Sequence, residues 1–261
     1  MPRWKIAVAP APFSLSLKES IEAVSQTGAD GVQFNARDEL KSKEFGETAR
    51  RELLHRLSER GLGIASLTFP LRRPLYDVEH LDGRVAALKE AMEFAGKIRC
   101  RVVTTRIGRL PEENSPDAQR LQDALRDLAQ YGNHVGVVLC ITPSSDTSAA
   151  LLKWLGTITE GPLGVDFDPA GALISHLEPA TALRELHTLV SHYQARDAVR
   201  DLESGGIEAQ LGRGEVDWDQ QLAILDDMKY SGWLTVRRTN SENPHLDCTR
   251  AVAYLRQVGL E

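Results

Sequence analysis

Short apolar runs alternate with longer amphipathic stripes from one end of the chain to the other. The β-type runs cover residues 5–9, 31–34, 63–68, 102–105, 135–141, 163–167, 189–194 and 233–237, eight in all. The run at 135–141 is almost continuously apolar, as expected of a parallel strand covered on both faces. Between the runs the spacing turns helical. Val85, Leu88, Met92 and Ala95 share one helix face, as do Leu121, Leu125 and Leu128, then Leu222, Leu225 and Met228, then Val252, Leu255 and Val258. Ser115 before Pro116 and Asp117 reads as an N-cap followed by proline at the first helical position, and Asp217 before Trp218 as a second cap.

Eight strand–helix alternations without a strand-only block predict an all-parallel sheet. At 261 residues, with no linker and no shift of composition, the economical closure is one (β/α)8 TIM barrel spanning 1–261 as a single α/β domain. A doubly wound open sheet would announce a glycine-rich turn after the first strand, but residues 9–13 read A-P-A-P-F. Two stretches look irregular, and both follow strand C-termini, where barrel enzymes keep their functional loops. They are the proline-rich 69–76 and the segment 197–216, which holds Gly205-Gly206 and Gly212-Arg-Gly214.

Composition narrows the function. Hydrophobic residues make up 42% and charged residues 26%, which is globular, and the net charge of −6 gives no footprint for a nucleic-acid partner. No apolar run approaches the ~20 residues of a membrane span, and Met1–Lys5 opens without the apolar stretch of a secretory signal. Cys100, Cys140 and Cys248 are too far apart for a zinc pair or a disulfide framework, so they read as buried thiols of a cytoplasmic protein. Neither a phosphate-binding glycine loop nor a G-x-S-x-G elbow occurs, and nothing in the spacing assembles a nucleophilic triad.

Several stretches, in order, resemble the xylose isomerase-like TIM barrels, the sugar phosphate isomerase/epimerase superfamily that also holds endonuclease IV-type proteins. They are G-A-D-G-V-Q at 28–33, Ala95-Gly96, G-V-V-L-C-I-T-P at 136–143, G-V-D-F-D-P at 164–169, H-Y-Q-A-R-D at 192–197, L-G-R-G-E-V-D-W at 211–218 and G-W-L-T-V-R at 232–237. The resemblance implies a divalent metal such as Mn²⁺, held at the C-terminal ends of strands five to eight by a Glu, an Asp, a His and a second Glu. It also implies sugar isomerase or epimerase chemistry. Carried over position by position, the first Glu falls on Thr142, the Asp on Asp168, the His on Gln194 and the second Glu on Arg237. A substrate-touching His falls on Gly171, and a strand-two Glu on Gln33. His192 and Asp197 of the strand-seven pattern remain. Asp168 is thus the only retained ligand position, too few for a catalytic metal, so no metal cofactor is expected.

Two readings of Arg237 stand open. It shares a strand face with Thr235, and the register that the resemblance implies points it into the barrel mouth, where it either pairs with Asp168 or Asp166 or clamps a ligand carboxylate or phosphate. Arg200, with Arg196 nearby, either extends a cationic pocket with Arg237 or is a solvated loop charge pairing with Asp197, Asp201 or Glu203. His192 reads as a hydrogen-bonded core residue or as a general base. Gln33, Asn35, Thr68 and Thr105 end strands and suit sugar hydroxyls, and Arg106 and Arg109 lie at the same end. The leading expectation is therefore a barrel that binds a polar, anionic sugar-type molecule (a sugar acid or sugar phosphate) through Arg237, Asp168, His192, Gln194, Thr142, Gln33 and Arg200. It would act as a sensor or accessory protein, or run a metal-independent reaction. Its rival is a sugar isomerase with Mn, Mg, Zn or Co on rearranged ligands Asp166, Asp168, His192 and Asp197. Endonuclease-type chemistry lacks both the ligands and the charge. The resemblance also allows a homodimer.

Overall fold

The computed structural model describes residues 4–201 and 205–259. Seven strands run β1 (Lys5–Val8), β2 (Gly31–Asn35), β3 (Gly63–Thr68), β4 (Val102–Thr105), β5 (Val138–Ile141), β6 (Leu163–Phe167) and β7 (Val190–Ala195). A short antiparallel hairpin, β8 (Asp197–Val199) and β9 (Ile207–Ala209), follows, and then β10 (Trp233–Val236). β10 and the first seven strands close a barrel in the order β1-β10-β7-β6-β5-β4-β3-β2, with every neighbouring pair parallel. The expected (β/α)8 TIM barrel is the fold.

Around it lie α1 (Leu17–Ser25), α2 (Glu47–Glu59), α3 (Leu81–Lys97), α4 (Pro116–Val135), α5 (Ser148–Leu155), α6 (Pro169–Ile174), α7 (Pro179–Leu186), α8 (Trp218–Asp227) and α9 (Pro244–Val258). The stripes read from the sequence are their inner faces. Leu88, Met92 and Ala95 of α3, Leu121, Leu125 and Leu128 of α4, and Val252 and Leu255 of α9 are all buried. Ser115 accepts the Ala118 N–H at 3.1 Å and Asp217 the Gln220 N–H at 2.9 Å, so both expected caps form. Residues 135–137 were read as strand, but Val135 ends α4. Gly136 caps that helix at φ 71°, a left-handed conformation that a Cβ disfavours, and β5 starts only at Val138.

Side chains alternate along each barrel strand, and the alternation separates two populations. Phe34, Leu67, Phe167, Tyr193 and Leu234 join the apolar core that packs the helices. Their neighbours Gln33, Ser66, Thr68, Asp166, Asp168, His192, Gln194, Thr235 and Arg237 have the opposite parity and meet inside the barrel.

Two bulges set which of these meet. The register shifts between Val32 and Gln33 on β2, pairing Gln33 with Ser66, and between Val165 and Asp166 on β6, pairing Asp166 with His192. Each bulge thus re-aims a polar side chain toward the partner it bonds. The hairpin, which was expected as irregular loop, docks on α6 through a small separate cluster of Ala170, Leu173 and Ala198.

Candidate ligand site at the barrel mouth

The deepest layer of the barrel's polar interior centres on His192, which is fully buried along with Ser66 and Thr235. Its Nε2 lies 3.0 Å from Ser66 Oγ and 2.9 Å from Thr235 Oγ1, and Gln33 Nε2 donates to Ser66 Oγ at 2.8 Å. Its Nδ1 lies 2.7 Å from Asp166 Oδ1. A carboxylate can only accept, so Nδ1 carries the proton.

Asp166 is the hub of the next layer. The Thr142 hydroxyl donates to its Oδ2 at 2.7 Å, and Gln194 Nε2 sits 3.1 and 3.2 Å from its two oxygens. Ser66, His192 and Asp166 are linked in the order of a nucleophilic triad, which the sequence spacing concealed. Ser66 and His192 have no exposed surface and do not line the cavity above, so no substrate reaches the hydroxyl. The chain of bonds fixes Asp166 in place.

Above Asp166, at the C-terminal ends of the strands, the layer is ionic. Asp168 caps α6, accepting the Gly171 N–H at 3.1 Å, and meets Arg196 Nη1 at 2.6 Å and Arg106 Nη2 at 3.6 Å. Burial pushes its carboxyl upward. The charges of Arg196, Arg237 and Arg106 and the Gly171 N–H together outweigh that and hold it below its ordinary value. Arg196 is only 10% exposed, because its Nε also reaches Glu208 Oε1 on the hairpin at 3.1 Å. Glu208 in turn accepts from Arg238, Thr239 and the Asn240 N–H, tying the hairpin to the segment after β10.

Arg237 is the exception. The expected pairing with Asp168 or Asp166 does not form. Among the described residues it makes no ion pair within 4 Å and no hydrogen bond, and its Nε is buried without a partner. The reason lies in the competition for carboxylates. Asp168 is taken by Arg196 and Arg106, and Asp166 by Thr142, His192 and Gln194. Burial and the like charge of Arg196 draw the Arg237 pKa below its ordinary value, against the pull of the two aspartates.

Arg237, Asp166, Asp168, Gln194, Thr142, Thr68, Thr105 and Arg106 line one cavity of about 110 Å³, roofed on one side by Pro70 and Leu71 of the proline-rich segment. That segment is pinned by the Leu75 N–H to Ile107 at 2.9 Å and by the Thr105 hydroxyl to the Phe69 carbonyl at 2.8 Å. Larger grooves of about 370 and 450 Å³ lie on the outer helices, away from the polar layers.

Arg237, Asp168, Gln194 and Thr142 therefore meet at the cavity, with His192 and Gln33 beneath it. Arg200 does not join them. It is exposed, its guanidinium 3.9 Å from Glu178 and its N–H donating to Glu215, and the guanidinium beside Asp168 is instead that of Arg196. Of the partners expected for Arg200, Glu203 lies outside the described residues. Asn35 bonds locally to Asp38 and the Arg37 N–H. Asp197 faces away from the mouth and accepts from the Gly212, Gly214 and Val216 N–H groups and the Trp218 indole. Arg106 was placed in sequence at the functional end of strand four and Arg196 only beside Arg200, neither of them against Asp168, and Ser66 and Glu208 carried no local signal at all.

The model of the xylose isomerase-like TIM barrel family matches residues 21–258. The chain belongs to that family. No curated protein sequence is significantly similar to it. Among solved structures, this barrel is similar to a xylose isomerase domain protein from Planctomyces limnophilus (22% identity, TM-score 0.86, covering 98% of this chain and 97% of that one). It is also similar to 3-keto-D-glucoside 4-epimerase from E. coli (17%, 0.78, 97% and 99%). A third is a xylose isomerase-like TIM barrel protein from Mycobacterium smegmatis in complex with magnesium (16%, 0.80, 98% and 96%). At these identities the likeness is one of fold.

The donor set in the mouth does not fit a divalent metal. Among the described residues no three His, Cys, Asp or Glu side chains come together as a cation would require. Asp197 of the rearranged set is committed elsewhere, Asp168 is held by two guanidinium groups, and Arg237 brings a third cation that has no lone pair to offer.

Proposed function

We propose that this barrel binds a small, polar, anionic sugar-type molecule at its mouth without a divalent metal, as a sensor or accessory protein or in a metal-independent reaction. One observation carries the reading: a half-buried guanidinium, that of Arg237, lines a polar cavity with no partner among the described residues. A buried cation costs several kcal/mol unless its donors are satisfied, so such a group calls for a partner from outside the chain. Arg presents a planar fork that accepts a carboxylate or phosphate in two parallel hydrogen bonds. The Asp166 hub, fastened from below by His192 and from the sides by Thr142 and Gln194, holds the floor of the cavity rigid. Thr68 offers a hydroxyl to a polyhydroxylated ligand, and Thr105, whose proton goes to the Phe69 carbonyl, an acceptor oxygen.

The sugar-type character is supported by the family and by similarity to structures named as sugar epimerases. The three buried cysteines fit a reducing compartment such as the cytoplasm, and no helix among the described residues is long and apolar enough to cross a membrane.

The test is a thermal-shift screen of acidic sugars and sugar phosphates in chelator-treated buffer. At least one should raise Tm in the natural chain, and none should in Arg237→Met. Stabilisation that requires added Mn²⁺, Mg²⁺ or Co²⁺ would refute the reading.

A further inference from the structure

Among the described residues, three guanidinium groups meet at the mouth, and they are not equally committed. Arg196 is 10% exposed and tied twice, to Asp168 at 2.6 Å and to Glu208 at 3.1 Å. Arg237 is half-buried. Its Nε is sealed, while neither Nη group has a partner among the described residues. Arg106 differs from both. Its side chain is 54% exposed, it lines the same cavity, and its one contact is Asp168 at 3.6 Å, beyond hydrogen-bond distance.

That contact is expendable. An ion pair on an exposed arginine, too long for a hydrogen bond, contributes little and is screened by salt. Asp168 does not depend on it, because Arg196 and the Gly171 N–H hold the carboxylate at 2.6 and 3.1 Å. When Arg106 departs, Asp168 keeps a short, charge-assisted pair.

The backbone of Arg106, by contrast, is pinned on both sides. The Thr105 hydroxyl donates to the Phe69 carbonyl at 2.8 Å, and the Ile107 carbonyl accepts the Leu75 N–H at 2.9 Å. A long side chain with a free head thus stands on a fixed base.

Topology sets where that head can reach. Arg106 follows β4 and Arg237 follows β10, and in the closed barrel three strands separate β4 from β10 in either direction. The two guanidinium groups therefore come onto one cavity from opposite walls. Beyond burial and Arg196, Arg106 also helps to draw the Arg237 pKa down, so the two charges repel across the mouth. An anion between them removes that repulsion, supplies the Arg237 Nη groups with an acceptor, and gives Arg106 the hydrogen bonds that Asp168 does not.

Resting on the mouth reading above, we infer that Arg106 is a second ligand-binding residue. It leaves Asp168 when an anionic ligand enters and, with Arg237, grips the ligand's charged group from the opposite wall. A guanidinium fork accepts carboxylate and phosphate alike, so both are tried.

Gluconate and glucose 6-phosphate, with glucose as the uncharged control, are titrated by calorimetry into the full chain in chelator-treated buffer. The anion that binds more tightly is then titrated into Arg106→Gln, Arg106→Lys and Arg237→Gln. Arg106→Gln should weaken it at least about tenfold, a gap of about 1.4 kcal/mol, while Tm of the ligand-free chain stays within about 2 °C. Arg106→Lys, which keeps the charge but not the fork, should recover part of the loss. An affinity unchanged in Arg106→Gln but lost in Arg237→Gln would overturn the role of Arg106 and leave the mouth as the site. A ligand-free Tm lowered by more than about 4 °C in Arg106→Gln would overturn it too, by making Arg106 a structural partner of Asp168. Failure of both anions to bind, equal binding of glucose, or binding that survives both Gln variants would overturn both readings.

Discussion

Replacing Asp197 by Asn exchanges a carboxylate oxygen for an NH2 where every neighbouring group is a donor. Oδ1 accepts the N–H groups of Ala198 at 2.9 Å and Val216 at 3.1 Å. Oδ2 accepts those of Gly212 at 2.9 Å and Gly214 at 3.1 Å, and the Trp218 indole N–H at 3.2 Å. The residue is 1% exposed, so water does not replace what is lost. Whichever way the amide sits, two or three donors lose their acceptor and face another donor. At about 1–3 kcal/mol for each buried group left unpaired, the loss sums to about 2–9 kcal/mol. That is a large share of the ~5–15 kcal/mol that holds an ordinary domain together.

Urea denaturation followed by tryptophan fluorescence measures the loss directly, since Trp218 belongs to the cluster. Gly214→Ala should act at the same place, because a Cβ there would stand 2.1 Å from Asp197 Oδ1. Asp197 does not line the mouth, so the ligand affinity of the folded Asn variant should stay close to that of the natural chain. A stability loss below about 1 kcal/mol, combined with lost ligand binding, would refute the structural assignment.

Arg237→Met, which keeps the stem and removes an unpartnered charge, should leave stability unchanged or raise it by about 1–2 kcal/mol in ligand-free protein. A loss above about 3 kcal/mol in chemical denaturation would instead mean that the guanidinium is half of a structural ion pair. Glu39 supplies a pH signature. Burial, opposed by the Asn35 N–H and aided by Asp38, raises its pKa from 4.5 to about 7 in the fold. The folded chain then binds more protons than the unfolded one across that window, so this contribution to stability is complete below about pH 4.5 and is lost as pH rises towards 7, by about 2–3 kcal/mol. In Glu39→Gln the slope of stability against pH between 5 and 7 should be correspondingly flatter, and an identical slope would count against the raised pKa.

The barrel was legible in sequence because its signals are local. Period-two runs, period-3.6 stripes and caps such as Ser115 and Asp217 each lie within a few residues, and all eight barrel strands fall on predicted runs. Thr142, Asp168, Gln194 and Arg237 were placed at one mouth by the family resemblance, and they do line one cavity there. What escaped was the wiring between distant elements. Ser66 meets His192 across 126 residues, and Arg196 meets Asp168 across 28, and no periodicity announces such pairs. The bulges at Val32/Gln33 and Val165/Asp166 shift register by one residue, and that decides that Asp166 bonds His192. An ion pair with Asp168 or Asp166 was one of two readings of Arg237, because the family register puts these side chains at one mouth, yet Arg196 and Arg106 reach Asp168 from other loops. Arg200 shows the reverse. It lies near the strand end in sequence, but the turn of the chain into the hairpin carries it out to solvent.

The account rests on a mouth in which Arg237 stands at a position where the resemblance implied a metal-ligating Glu, and in which Arg196 and Arg106 occupy Asp168. Elemental analysis of protein purified without chelators or a histidine tag tests that most directly. The account predicts less than about a tenth of a transition metal per chain, for want of the three or more ligands such a site needs. Near-stoichiometric Mn, Zn, Co or Fe, lost together with ligand binding on chelation, would contradict it.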